Sequence, residues 1–126
     1  MNQPIKKKRI LLVEDDEAIS MLTLMFLAQQ NIDTVHAKDG DEALLQLQNE
    51  NFAVIITDLV MPQKDGLAFI TELRKLGNTT PVIVTSGITD KHIHDQLYAV
   101  GVDKIYAKPL LPEVYLELIK HIKQYL

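Results

Sequence analysis

Short apolar runs alternate with amphipathic stretches along the whole chain. Ile10-Leu11-Leu12-Val13 is an uninterrupted apolar run, the pattern of a strand covered on both faces. Asp15 and Asp16 follow it and make a good helix start, because carboxylates accept the free amide N–H groups of a first turn. Residues Glu17 to Gln30 are rich in helix formers, and Asn31 closes that stretch. Ile32 to His36 reads as a weaker strand. Asp39-Gly40-Asp41-Glu42 opens a helix with Ala43, Leu44 and Leu47 on one face. Phe52 to Thr57 is a strongly apolar, β-branched run that ends at Asp58.

The same rhythm continues to the end. Met61-Pro62-Gln63-Lys64-Asp65-Gly66 is turn chemistry, and Phe69, Ile70 and Leu73 have helical spacing through Leu76 before Gly77 stops it. Pro81 to Thr85 predicts a fourth strand, with proline at the first position, where no ladder donor is lost. Asp90 to Val100 predicts a helix with Ile93, Leu97 and Val100 in register, stopped by Gly101. Val102 to Ala107 is a fifth strand, and Pro112 sits near the start of a last helix. Five strands separated by single helices must run parallel, giving a three-layer α/β sandwich read as a single domain over residues 1–126. Sheets of this kind place their sites at the carboxyl ends of the strands, near a topological switch point.

Composition narrows the function. There is no cysteine among the 126 residues, which excludes disulfides and thiolate metal sites and suits a reducing cytoplasm. Thirteen basic and seventeen acidic side chains leave a formal charge of -4, against direct nucleic-acid binding by this domain. The run Lys6-Lys7-Lys8-Arg9 reads as a solvated lead-in to the first strand. No stretch reaches membrane-spanning length and no signal-peptide core is present, so the expected location is cytoplasmic, with no membrane partner.

The chemistry gathers at the strand ends. The first strand runs into Glu14, Asp15 and Asp16; the third ends at Asp58; Ser86 follows the fourth; Lys108-Pro109 follows the fifth. Each signal alone has an ordinary reading as a helix cap, a turn residue or a solvated loop lysine. Jointly they place carboxylates, a hydroxyl and an ammonium at one edge. Packed carboxylates repel unless a cation sits among them, and a hard divalent ion such as Mg²⁺ (or Mn²⁺) is the obvious remedy.

These segments resemble the receiver domains of two-component response regulators, the CheY-like family, over essentially the whole chain. The matching stretches are Ile10 to Asp16, Asp39 to Leu44, Ile55 to Asp58, Met61 to Gly66, Pro81 to Gly87 and Lys108-Pro109. The resemblance implies a flavodoxin-like, doubly wound sheet of order 2-1-3-4-5 with five helices. It implies that Asp58 is the phosphoacceptor, that Glu14 and Asp15 hold Mg²⁺ with Asp58 and the backbone carbonyl of Val60, and that Ser86 and Lys108 are the switch hydroxyl and the family lysine. It further implies a sensor histidine kinase or histidine phosphotransfer protein as donor. The outlet is then a downstream protein target or an output domain outside this sequence. A homodimer through the fourth helix, fifth strand and fifth helix fits the same picture. The activity is that of a signalling domain that promotes its own phosphorylation and slow autodephosphorylation, rather than of an enzyme.

The sequence also departs from the family pattern. Ile105 stands where the family usually has an aromatic switch residue, and its neighbour Tyr106 must point to the opposite face of a strand, as a packing residue. Leu110 takes the place of a frequent phenylalanine. Val60 and Ile88 flank the expected pocket with apolar side chains, which would restrict attacking water and lengthen the phosphoryl lifetime. Met21, Leu22, Leu24, Met25, Phe26 and Leu27 make the first helix apolar around most of its circumference; core packing is the first reading, and in this family such a helix also commonly docks against the phosphodonor. His92 and His94 do not share a helix face, so they make a poor zinc pair. A docking-only pseudo-receiver is disfavoured by the intact acidic pair, Asp58, Ser86 and Lys108. An aspartyl-phosphate phosphatase is disfavoured because Leu59 and Val60, not a second aspartate, follow Asp58. A flavin site lacks its Ser/Thr-rich loop after the first strand.

Overall fold

The computed structural model describes residues 8–61 and 64–126. Lys6 and Lys7 of the basic run, and Pro62 and Gln63 of the turn, lie outside the described residues. The chain alternates β1 (Arg9–Val13), α1 (Glu17–Gln29), β2 (Thr34–Ala37), α2 (Gly40–Asn49), β3 (Phe52–Asp58), α3 (Gly66–Lys75), β4 (Val82–Ser86), α4 (Lys91–Ala99), β5 (Val102–Ala107) and α5 (Pro112–Lys123). All strand pairs are parallel and the sheet order is β2-β1-β3-β4-β5. The expected doubly wound order is therefore the observed one.

Burial explains which runs became central strands. Every residue of β3 and of β4 is buried, and only Arg9 of β1 is not, so these strands need continuous apolar sequence. The edge strands are half-covered, and β5 exposes Asp103, Lys104 and Ala107. Two apolar layers follow. Ala43 of α2, Phe69, Ile70 and Leu73 of α3 and Leu97 of α4 pack on one face with Val13, Ile55 and Val84. Leu27 of α1 and Tyr115, Leu118, Ile119 and Ile122 of α5 pack on the other with Ile10, Ile56 and Tyr106. Burying a side chain as completely as Phe69 stabilises the fold by about 1.5–3 kcal/mol.

Aspartates start the helices that face the site. Asp16, Asp39 and Asp65 accept hydrogen bonds from the N–H groups of Ile19, Glu42 and Ala68 at 2.9, 2.8 and 2.7 Å. Asp90 does the same for His92 and Ile93 at the start of α4. The expected stops at Asn31, Gly77 and Gly101 take φ values of 58°, 82° and 87°, the left-handed region that ends a helix. Strand β4 begins and ends one residue later than Pro81–Thr85: Pro81 lies outside it, and Ser86 still pairs in register with Ala107.

Tyr106 is buried against α5, while Ile105 is half-buried on the opposite layer, as the alternation of a strand requires. Helix α1 leaves Met21, Leu22 and Met25 open to solvent. Among the described residues no helix is long and apolar enough to cross a membrane.

Candidate phosphoacceptor site

The strand order decides which chain ends meet. Because β1 lies between β2 and β3, its crossovers leave in opposite directions, and the ends of β1, β3, β4 and β5 line one cleft. Register places Val13 beside Thr57 and Asp58 beside Thr85, so Glu14 and Asp58 leave the sheet at the same level.

Glu14, Asp15 and Asp58 each offer a carboxylate oxygen, and these oxygens lie within 4.8 Å of one another. Glu14 and Asp58 are buried, at 3% and 8% exposure, whereas Asp15 is exposed. Lys108 reaches into this group: its Nζ is 3.0 Å from Oε1 of Glu14 and 3.0 Å from Oδ2 of Asp58. The second oxygen of Glu14 accepts the Asp16 N–H at 3.3 Å.

The electrostatics follow from that crowding. Loss of water around Glu14 pushes its carboxyl above the usual range; the Lys108 ammonium opposes this and the Asp58 carboxylate adds to it. Burial alone would lower the Lys108 ammonium, but its hydrogen bonds to Glu14 and Asp58 outweigh burial and hold it above its ordinary value. One ammonium is thus set against three clustered carboxylates. The donor set is all oxygen and retains negative charge, which fits a hard divalent cation of the Mg²⁺ type.

Ser86 is buried at the end of β4, and its carbonyl accepts the backbone N–H of Lys108 at 2.9 Å. Its hydroxyl accepts the N–H of Ile88 at 2.9 Å. Val60, two residues past Asp58, is 61% exposed, and Ile88 is half-buried. Glu14, Asp15, Asp58 and Lys108 are therefore brought together. The Ser86 hydroxyl, buried at the neighbouring strand end, is engaged with its own loop.

Two supporting contacts escaped the sequence reading. His36, at the end of β2, donates from Nε2 to the backbone carbonyl of Glu14 at 2.8 Å. Gly66 lies so close to the end of β3 that a Cβ there would stand 2.6 Å from the Asp58 carbonyl oxygen. The glycine was visible in the sequence, but its closeness to Asp58 is not encoded in any local pattern. A surface hollow of about 650 Å³ at the other end of the sheet, around Asn51, Asn78 and Thr80, shares no residue with this site.

The response regulator receiver domain family model matches residues 10–120, and the chain belongs to that family. The transcriptional regulatory protein CiaR of Streptococcus pneumoniae is 33% identical over 112 residues, covering 89% of this chain and 48% of that protein. ResD of Bacillus subtilis is 30% identical, covering 91% of this chain and 46% of its own length. The chain thus spans about half the length of these curated relatives. The receiver domain of Francisella response regulator 1452 superposes with a TM-score of 0.86 at 30% identity, covering 94% of this chain and 96% of that one. CheY4 of Vibrio cholerae gives 0.84 at 28% identity, covering 93% and 99%. The chain is therefore a receiver domain of the two-component response regulator type.

Proposed function

We propose that Asp58 accepts a phosphoryl group from a phosphohistidine donor, and that Glu14, Asp15, Ser86 and Lys108 serve this transfer. The observation that carries the reading is the contact of Lys108 Nζ with both Asp58 and Glu14 at 3.0 Å, beside Asp15. A carboxylate is a weak nucleophile, so the gain must come from alignment and neutralisation of charge on the equatorial phosphoryl oxygens.

An oxygen of Asp58 bonds to phosphorus as the phosphorus–nitrogen bond of the donor breaks, and the imidazole leaves with that electron pair. Lys108 is already within reach of Asp58 and pairs with a phosphoryl oxygen. The Ser86 hydroxyl donates to another, and Asp58 stays aligned because its strand is buried on both faces. Glu14, Asp15, Asp58 and the Val60 carbonyl would hold Mg²⁺. When bound, that ion supplies positive charge beside the phosphoryl oxygens.

The new group adds a charge of about -1.5 to -2 at the sheet edge. Ser86 is drawn toward it, and the surface formed by α4, β5 and α5 changes in response. We read that surface as the outlet, toward an output domain, a separate target protein or a second copy of the chain. The donor is a cytoplasmic sensor kinase or histidine phosphotransfer protein, and the whole sequence acts as one receiver unit.

Acetyl phosphate with Mg²⁺ tests the reading. Intact-mass measurement finds one added phosphoryl group on the wild type, lost with chelator and absent in Asp58→Asn. Labelling of Asp58→Asn at the same rate would overturn the assignment.

A further inference from the structure

Helix α4 is lightly seated on the sheet. Leu97 is its sole buried residue, with Ile93 and Val100 half-buried. Such an element can shift at low cost compared with α3 or α5, which bury Phe69, Ile70 and Leu73 or Tyr115, Leu118, Ile119 and Ile122. Its two ends are held differently.

The C-terminal end is clamped. Arg74, at the end of α3, donates from Nε to the carbonyl of Val100 at 2.9 Å and from a terminal nitrogen to Gly101 at 3.3 Å. The other terminal nitrogen reaches Asn78 at 3.1 Å and Thr80 at 2.8 Å in the loop before β4. A planar guanidinium with four carbonyl acceptors fixes direction as well as distance.

The N-terminal end is tied to the site loop. Ile88 donates its N–H to the Ser86 hydroxyl at 2.9 Å, and its own carbonyl accepts from His94 Nε2 at 2.8 Å. A carbonyl only accepts, so Nε2 carries the proton. Between Ser86 and Ile88 stands Gly87, where an added side chain would meet nothing within 4 Å, so the loop has room to move. The path from site to helix is therefore Ser86 hydroxyl, Ile88 peptide, His94 ring. Ile105, the half-buried residue of β5, offers no polar group to this path.

We propose that His94 is the positioning residue that joins the Ser86 loop to α4, so that a shift of Ser86 swings the helix about its Arg74-held end. This rests on the phosphoacceptor reading above. With the tie present, loop and first turn move as one body. Without it, the loop still follows the phosphoryl group but the helix does not.

The test uses the full chain as wild type, His94→Leu and His94→Gln, the last retaining a side-chain N–H donor. Amide hydrogen exchange is followed through residues 86–100 before and after acetyl phosphate with Mg²⁺. In the unlabelled proteins, His94→Leu raises exchange in the 86–94 segment about three- to tenfold, the loss expected for one hydrogen bond, and His94→Gln restores much of the protection. All three are labelled at rates within about threefold of one another, while the labelling-induced change in α4 falls at least about threefold in His94→Leu alone. A labelled His94→Leu with the wild-type α4 response would overturn the link and leave Asp58 as acceptor. Failure of the wild type to be labelled at all would overturn the acceptor reading and the link together.

Discussion

Lys108 lies 94 residues beyond Glu14 in the chain, yet its ammonium rests 3.0 Å from the Glu14 carboxylate. That pairing, shared with Asp58, makes Lys108 the one cation in contact with the acidic cluster among the described residues. It links the end of β5 to the end of β1 across the cleft and sets the resting charge of the site.

Removing this ammonium leaves two buried carboxylates without their partner. Lys108→Ala lowers stability in metal-free buffer by about 1–3 kcal/mol, less than for a fully enclosed pair because the lysine is partly solvated. Added Mg²⁺ recovers part of the loss. Urea unfolding with and without the ion checks this, and an unchanged midpoint in both conditions would contradict the proposed balance of charge.

Asp15 is the exposed member of the cluster and has no contact with Lys108 that would hold it. On the proposed reading it serves to bind the ion. Mg²⁺ therefore raises the melting temperature of the wild type, and Asp15→Asn weakens that affinity about tenfold or more, near 1.4 kcal/mol. Melting curves across a Mg²⁺ series read this directly; equal affinities would remove Asp15 from the ligand set.

Phosphoryl lifetime is expected to depend on Ile88 more than on Val60. Ile88 is half-buried beside Ser86, while Val60 stands 61% exposed and shields little. Ile88→Asn shortens the lifetime about three- to tenfold, roughly 0.7–1.4 kcal/mol in barrier, and Val60→Asn changes it less. Decay of the labelled species after removal of acetyl phosphate gives both values. The reverse order would point to Val60 as the gatekeeper against water.

Alkaline stability should carry the mark of Tyr125. Burial, reinforced by its hydrogen bond to Asp103, pushes the phenol from its usual value near 10 up to about 12. A raised value means the folded state favours the protonated phenol. The stabilising contribution is whole below pH 10 and is lost as pH rises through about 12. Tyr125→Phe therefore shows a shallower fall of stability over that interval in urea unfolding at stepped pH. Parallel curves for the two proteins would rule the contribution out.

Much of the fold was legible because each central strand must be covered on both faces. Ile10 to Val13 and Phe52 to Thr57 could be read as buried strands from that demand alone. The aspartate caps and the glycine and asparagine stops were equally readable, since each satisfies a local backbone requirement. The site was legible only as a set of strand ends. Its internal contacts depend on sheet order, which fixes who meets whom but leaves no local mark at Lys108 or Glu14. The one-residue displacement of β4, the His36 bond to Glu14 and the His94 tie to Ile88 are of the same kind. They arise from three-dimensional proximity or loop geometry, to which periodicity is blind. Arg74 reads in sequence as one more basic residue near a helix end, yet it holds four carbonyls from two loops.

The close approach of backbone at Gly66 restricts how this sequence can vary. Its N–H donates to the Leu59 carbonyl at 2.7 Å, and a Cβ there would stand 2.6 Å from the Asp58 carbonyl oxygen and 3.0 Å from the Leu59 α-carbon. Any methyl group there must push on a peptide plane rather than on a pliable side chain. Gly66→Ala is accordingly expected to cost about 2–4 kcal/mol and to tilt Asp58, measurable as a lower urea midpoint and, on the proposed reading, as slower labelling. Leu59 and Gly66 are thus clasped backbone to backbone, so a change that displaces Gly66 displaces the end of β3, and the Asp58 carboxylate with it.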